Sequence, residues 1–271
     1  MHWSTALLPR TYLPIHSSNR MQSEGNLLRA RAEFFQCKCK NLRFLLKNRY
    51  LWMNRYIKTG DVVVEIGSGA GLTTGFIEQK VITTEILPHP WIDLCLDALH
   101  LPFAAEVIDV AICANVLHHF ASPIKFLRDL HRCLKPGGHA VIFEPNPSLL
   151  LLLALLIMRH EGWAFDVDVF DPTALVNDPA DPWSGNNAVS GLMFDDPQAF
   201  RTNLPGFEIV DDRFAECIIF PLSGGVTART KTIECPLAVL EAIEWIDRQL
   251  CRLSPKIFAM GRLVVLRKVG W

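Results

Sequence analysis

The stretch "VVVEIGSGAGLTTG", residues 62–75, constrains this chain more than any other. An apolar run without polar alternation reads as a strand buried on both faces. The glycines behind it read as the turn at that strand's carboxyl end, where open α/β sheets hold their ligands. Three ligand classes are open here: a dinucleotide pyrophosphate, a nucleotide phosphate chain, or a nucleoside without phosphate. The dinucleotide fingerprint needs G-x-G-x-x-G, but the sixth position is Leu72 counted from Gly67 and Thr74 counted from Gly69. No Gly-Lys-Ser/Thr follows, so no lysine is placed to hold a phosphate. Both phosphate readings weaken.

The acids point elsewhere. Glu65 stands just before Gly67, Gly69 and Gly71, where a carboxylate repels a pyrophosphate but suits an amino group or a sulfonium. Glu85 ends the next strand, a position from which an acid can accept from ribose hydroxyls. Asp97 ends the third, in "LDALHLPF", and can accept from an adenine amino group. Acids at three successive strand ends fit an adenosine that carries positive charge.

The rest of the chain is organised around this sheet. Apolar residues recur at helical spacing from Leu27 to about Ile57 (Leu42, Leu45, Leu46, Arg49, Tyr50, Met53), which predicts one or two amphipathic helices ahead of it. "DVVVEIG", "VITTEIL", "WIDLCLD", "VIDVAICANV" and "HAVIFEP" read as five strands, with helices expected near 71–79 and across 123–134. Apolar strands separated by helices indicate an α/β fold with a parallel sheet covered on both faces. "ILPHPW" is too short for a crossover helix and reads as an extended connection. Residues 161–205, rich in Asp, Pro, Asn and Gly, read as a lid over the carboxyl edge. "FEIVDDRF" and "ECIIFPL" then read as strand material, 236–253 as a helix and "RLVVLRKV" as a final strand.

Taken together, "VVVEIGSGAG", "ITTEI", "LDALHLPF", "ICANVLHHF" and "LKPGGHAVIFEP" resemble the class I S-adenosylmethionine-dependent methyltransferases of the type 11 domain family, over roughly residues 55–147. The resemblance implies a Rossmann-like seven-stranded sheet of order 3-2-1-4-5-7-6 with the last strand antiparallel, and S-adenosyl-L-methionine as cofactor. It implies that Glu65, Gly67, Ser68, Gly69 and Gly71 border the cofactor's methionine end. Glu85 then holds the ribose, Asp97 and Ala98 read the adenine, and Asn115 touches the cofactor. "LKPGG" is a structural turn. The chain divides into an N-terminal arm and helices (1–57), a cofactor-binding core (58–148), an apolar helix with a lid (149–205), and a C-terminal completion of the sheet (206–271).

A sulfonium donor needs an aligned nucleophile and a dry site, and a hydroxyl nucleophile gains from a base. "NVLHHF" puts His118 and His119 at the sheet edge facing the transferring methyl, as alternative bases. His160, Glu161 and Asp166 in the insertion are the expected substrate contacts. The leading function is O-methylation of a sugar or secondary-metabolite hydroxyl. The alternatives are carbon or nitrogen methylation of a quinone-like or amine acceptor, and a non-catalytic nucleoside-binding protein. The intact acids and glycines argue against the last.

Net charge −1 gives no electrostatic case for a nucleic-acid partner. Eight cysteines without a second Cys/His pair near Cys37 and Cys39 indicate free thiols, not zinc. With no signal peptide at the N-terminus, the expected location is cytoplasmic. The run "LLLLLALLIM" at 149–158 is half the length of about 20 residues that spans a bilayer. It reads as a buried helix anchoring the lid, or as an apolar patch meeting a lipid-linked acceptor.

Overall fold

The computed structural model describes residues 8–14, 26–36, 39–159, 161–181, 183–227 and 230–270. Two helices, α1 (Leu27–Gln36) and α2 (Lys40–Met53), precede the sheet, as the spacing predicts. The sheet has seven strands: β2 (Val63–Ile66), β3 (Val81–Glu85), β4 (Leu94–Cys95), β5 (Ile108–Ala114), β6 (Leu134–Pro145), β8 (Phe207–Ala215) and β9 (Gly261–Lys268). Two further strands, β1 (Thr11–Tyr12) and β7 (Trp163–Ala164), pair antiparallel as a separate ribbon. The order of the main sheet is β4-β3-β2-β5-β6-β9-β8. Neighbours run parallel as far as β6, and β9 is antiparallel to both β6 and β8. Numbered within the sheet alone, this is the 3-2-1-4-5-7-6 arrangement with a reversed strand seven.

Alternate residues of each strand feed opposite faces, the period-two rule of a pleated strand. Val64, Ala111 and Ile142 pack with α3 (Pro123–Cys133), whose Ile124, Phe126, Leu127 and Leu130 are fully buried. The same cluster takes in α5 (Val189–Phe194) and α6 (Pro197–Asn203) of the insertion through Val189, Met193 and Phe200. Val63, Val110, Ile112 and Val141 face the other way, against Leu42, Leu45, Leu46 and Met53 of α2. Both faces are therefore dry. That is why these strands lack polar alternation.

The helix α4 (Leu149–Met158) starts at Ser148, whose Oγ accepts from Leu151 N–H at 3.3 Å, and ends at Arg159 with φ +51°. Leu151, Leu152 and Leu155 are buried, whereas Ile157 is 83% exposed. Among the described residues no helix is long and apolar enough to cross a membrane.

Local expectations fail in three places. The helix expected at 71–79 is a single 3-10 turn, Thr73–Gly75, because Gly71 and Gly75 flank it and Thr73 turns inward to bond Glu65. The third strand contracts to Leu94–Cys95. "ECIIFPL" is no strand: α7 (Ile219–Ser223) follows Glu216, which holds φ +63° and ends β8. The helix α8 (Leu237–Leu253) imposes this through Asp247, whose carboxylate accepts the N–H groups of Cys217, Ile218 and Ile219 at 2.8–3.0 Å. Three amides taken by one side chain cannot join a ladder. A four-residue helix, α9 (Pro255–Phe258), leads into β9.

Candidate active site

The site begins where β2 ends. Gly67, Gly69 and Gly71 hold φ of +70°, +51° and +64°, a region L side chains disfavour. A Cβ on Gly71 would lie 2.6 Å from Trp91 Cδ1, and one on Gly67 would overlap Val116 Cγ2. Ser68 ties the turn to β3, its N–H donating to Thr84 O at 2.8 Å and its Oγ accepting from Thr84 N–H at 3.1 Å. From outside, Arg31 of α1 donates to Ala70 O at 2.7 Å and Gly71 O at 3.1 Å, while Trp91 Nε1 donates to Gly69 O at 2.9 Å. The Arg31 guanidinium also lies 4.8 Å over the Trp91 ring.

The acids converge on one cavity of about 400 Å³. Glu65 is 2% exposed. Its Oε1 accepts from Thr73 Oγ1, which is 2.8 Å from the Tyr50 hydroxyl. Its Oε2 is buried without a hydrogen-bond partner among the described residues. Burial, with the Glu85 charge adding, pushes the Glu65 carboxyl up to about 7. Glu85 accepts from Gly69 N–H at 2.9 Å and Ile86 N–H at 2.8 Å. Asp97 accepts from Leu99 N–H at 2.9 Å, and Ala98 and Asn115 complete this end of the wall. Asn115 sits at φ +56°, held by its N–H bond to Phe143 O at 2.7 Å.

This donor-poor wall fits the implied cofactor. An orphaned carboxylate oxygen costs free energy until a donor reaches it, and the ammonium group of a methionine moiety is such a donor. The glycine turn borders the cavity with backbone alone, Val116 and Trp91 standing where a Cβ on Gly67 or Gly71 would be. A phosphate would meet three carboxylates.

His118 and His119, in the turn Leu117–His119 after β5, line the same cavity. Glu144, near the end of β6, accepts the N–H groups of Val116, Leu117 and His118 at 2.9, 2.7 and 3.2 Å. Its Oε2 also lies 2.5 Å from His118 Nδ1. His119 Nδ1 lies 2.9 Å from Ser184 O. Glu161 faces both rings, with Oε2 at 3.5 Å from His118 Nε2 and Oε1 at 3.8 Å from His119 Nε2. Burial pulls the His118 imidazolium down, but Glu144 and Glu161 outweigh it and hold it above the usual histidine range. Burial and the His118 charge hold His119 below that range.

The cavity therefore brings Glu65, Ser68, Glu85, Asp97, Ala98 and Asn115 together with His118, His119 and Glu161. Asp166 is not among them. It follows β7 and accepts from Thr11 Oγ1 in an exposed position. His160 lies outside the described residues. Three participants escaped the sequence reading. Glu144 ends a strand as Glu65 and Glu85 do, which was the available signal. Arg49 stood in an apolar stripe, and that placement marked it: it is 5% exposed, donating twice to Glu216 at 2.6 Å. Asn187 Nδ2, 3.0 Å from Glu161 Oε2, gave no local signal.

Comparison with known proteins agrees with this geometry. Residues 64–142 match a family model described as a methyltransferase domain. A tRNA U34 carboxymethyltransferase of Hydrogenovibrio crunogenus is 34% identical over 94 residues, 34% of this chain and 28% of that protein. A demethylmenaquinone methyltransferase of Lysinibacillus sphaericus is 30% identical over 93 residues, 34% of this chain and 40% of that protein. The chain thus spans well under half the length of these curated relatives. A solved SAM-dependent methyltransferase from Archaeoglobus fulgidus shares the fold, with TM-score 0.51 and 18% identity over 88% of this chain and 97% of that one.

Proposed function

From the premise that residues 64–142 form a class I S-adenosylmethionine-dependent methyltransferase domain, we propose that the protein methylates a hydroxyl of a small, largely apolar acceptor. One observation carries the reading: a single cavity joins the acid-lined glycine turn to the His118–His119–Glu161 cluster. When bound, the cofactor supplies a methyl group already activated on sulfonium sulfur. Glu65 would hold its ammonium group and Glu85 its ribose hydroxyls. Asp97 with Ala98 would hold the adenine, and Gly67, Ser68, Gly69, Gly71 and Asn115 would border the rest.

The chain's own part is to bind, orient and keep water out. Leu46, Met53, Leu151, Leu155 and Met260 give the cavity an apolar wall. The His118–His119–Glu161 cluster takes up the hydroxyl proton. A net charge of −1 supplies no electrostatic case for a nucleic-acid acceptor. Among the described residues the cysteines are free thiols, which suits a reducing, cytoplasmic compartment.

The test is calorimetry with S-adenosylhomocysteine followed by product analysis on a panel of apolar alcohols and phenols. Expected are one bound nucleoside per chain and an O-methyl product, with turnover lowered at least about 100-fold in His119→Ala, the usual size of general-base assistance. No nucleoside binding by folded protein would remove the reading. A second reading, carbon methylation of a quinone-like ring, draws on the apolar wall and on the demethylmenaquinone methyltransferase relative. Under it the product carries a C-methyl and turnover survives replacement of both histidines.

A further inference from the structure

His118 and His119 are neighbours in the chain, yet each directs Nε2 at the same carboxylate. The cause is on their outer sides. A backbone carbonyl only accepts, so the 2.9 Å contact with Ser184 O puts the His119 proton on Nδ1 and leaves Nε2 a free lone pair. The Glu144 carboxylate, 2.5 Å from His118 Nδ1, holds a proton there, so Nε2 becomes the ligand atom once the ion displaces the proton it shares with Glu161. Glu161, the third member, is oriented by Asn187 Nδ2 at 3.0 Å. Two imidazole nitrogens and one carboxylate oxygen, each fixed by a hydrogen bond behind it, form the arrangement of a prepared metal site.

The distances agree. One ligand atom from each of His118, His119 and Glu161 lies within 4.8 Å of the others. The Nε2–carboxylate separations are 3.5 and 3.8 Å. Ligands at zinc-type bond lengths around a tetrahedral centre are about 3.3 Å apart, so the two nitrogen–carboxylate pairs need a small contraction, and the nitrogen–nitrogen pair, within 4.8 Å, closes as the ion draws both rings in. The charge agrees as well, since Glu161 and Glu144 together offset a divalent ion in a buried place. The donor set excludes magnesium and calcium, which take oxygen ligands. It suits a first-row ion that accepts imidazole, such as zinc or ferrous iron.

We propose that His118 Nε2, His119 Nε2 and Glu161 bind one divalent transition-metal ion, with its remaining positions open to the cavity. A hydroxyl coordinated there becomes far more acidic. Its O–H bond would break with the electron pair left on oxygen, and the proton would go to bulk water as the acceptor enters, before the site is dry. With the metal bound, this takes the place of direct proton uptake by the histidine cluster. This use of the metal rests on the hydroxyl reading above; the binding of the metal does not.

The experiment strips the full chain with a chelator, dialyses it, and titrates it with Zn²⁺ by calorimetry and with Co²⁺ by visible spectroscopy, with neither cofactor nor acceptor present. Expected is one ion per chain, with cobalt d–d bands of nitrogen–oxygen ligation. His119→Ala and Glu161→Gln each weaken binding at least about tenfold. Glu144→Gln weakens it about 10- to 100-fold and shifts the cobalt bands. The affinity for S-adenosylhomocysteine stays near wild type in all three, which reports an intact fold. Absence of stoichiometric binding to the wild-type chain overturns the proposal without any variant. Binding that His119→Ala and Glu161→Gln leave unchanged overturns it too. O-methylation by a chain that binds no metal would retain the hydroxyl reading and remove only this one.

Discussion

Glu65 combines two properties that set a measurable signature: it is buried, and one of its oxygens lacks a partner among the described residues. Its carboxyl sits up at about 7, mainly because burial disfavours the charge. A group whose folded value is raised binds its proton more tightly folded than unfolded. Its contribution to stability is therefore full below about pH 4.3, the unfolded value, and is lost as pH rises through 7. Denaturation of the free protein should show this loss between pH 5 and 8, and Glu65→Gln should flatten it. The ammonium group of a bound nucleoside favours the ionised form, so S-adenosylhomocysteine should expel a fraction of a proton near pH 6. Calorimetry in buffers of different ionisation enthalpy reads that directly, and Glu65→Gln should abolish it. At this scale the cofactor end was legible, because each acid ends a strand whose apolar run announces it. Asp166 does not line the cavity, and nothing local in an acidic loop says how it will lie against the sheet.

Elements follow the same division between local and distant causes. The strands and α8 were readable from period and apolar runs, and the sheet order followed from a family resemblance that the topology bears out. The α7 segment was not readable, because its backbone is claimed by Asp247, which lies 28 to 30 residues away. The apolar run 149–158 was legible as a helix but not by face. Leu152 is fully buried and Ile157 is 83% exposed. Leu152→Ala should cost about 2–5 kcal/mol through transfer and cavity terms, whereas Ile157→Lys should stay within about 0.5 kcal/mol. Urea denaturation of the two variants checks both. A vesicle-flotation assay in which only Ile157→Lys loses binding would show that the exposed face meets lipid.

At the scale of the whole molecule, one buried side chain adds an ionic tie between insertion and sheet to their shared apolar core. Arg262 of β9, 3% exposed at its side chain, donates to Asp212 at 2.9 and 2.7 Å, to Asp195 at 2.6 Å and to Phe194 O at 3.0 Å. It thus joins β9, β8 and the end of α5. Removing one partner of a buried ion pair costs about 3–5 kcal/mol, and the lower end applies here because both aspartates are about a third exposed. Arg262→Met should lose about 3 kcal/mol in urea denaturation and speed proteolytic nicking within 161–205.

The opposite flank is tied differently. Arg31, on a helix outside the family-matching segment, grips two carbonyls of the glycine turn and covers Trp91, which grips a third. The turn's shape is consequently not a property of residues 64–142 alone. Excised or transplanted at those borders, the segment would keep its motif and lose the brace that aims it. The portable unit of this protein, for grafting or for evolution by domain exchange, has to begin at or before α1.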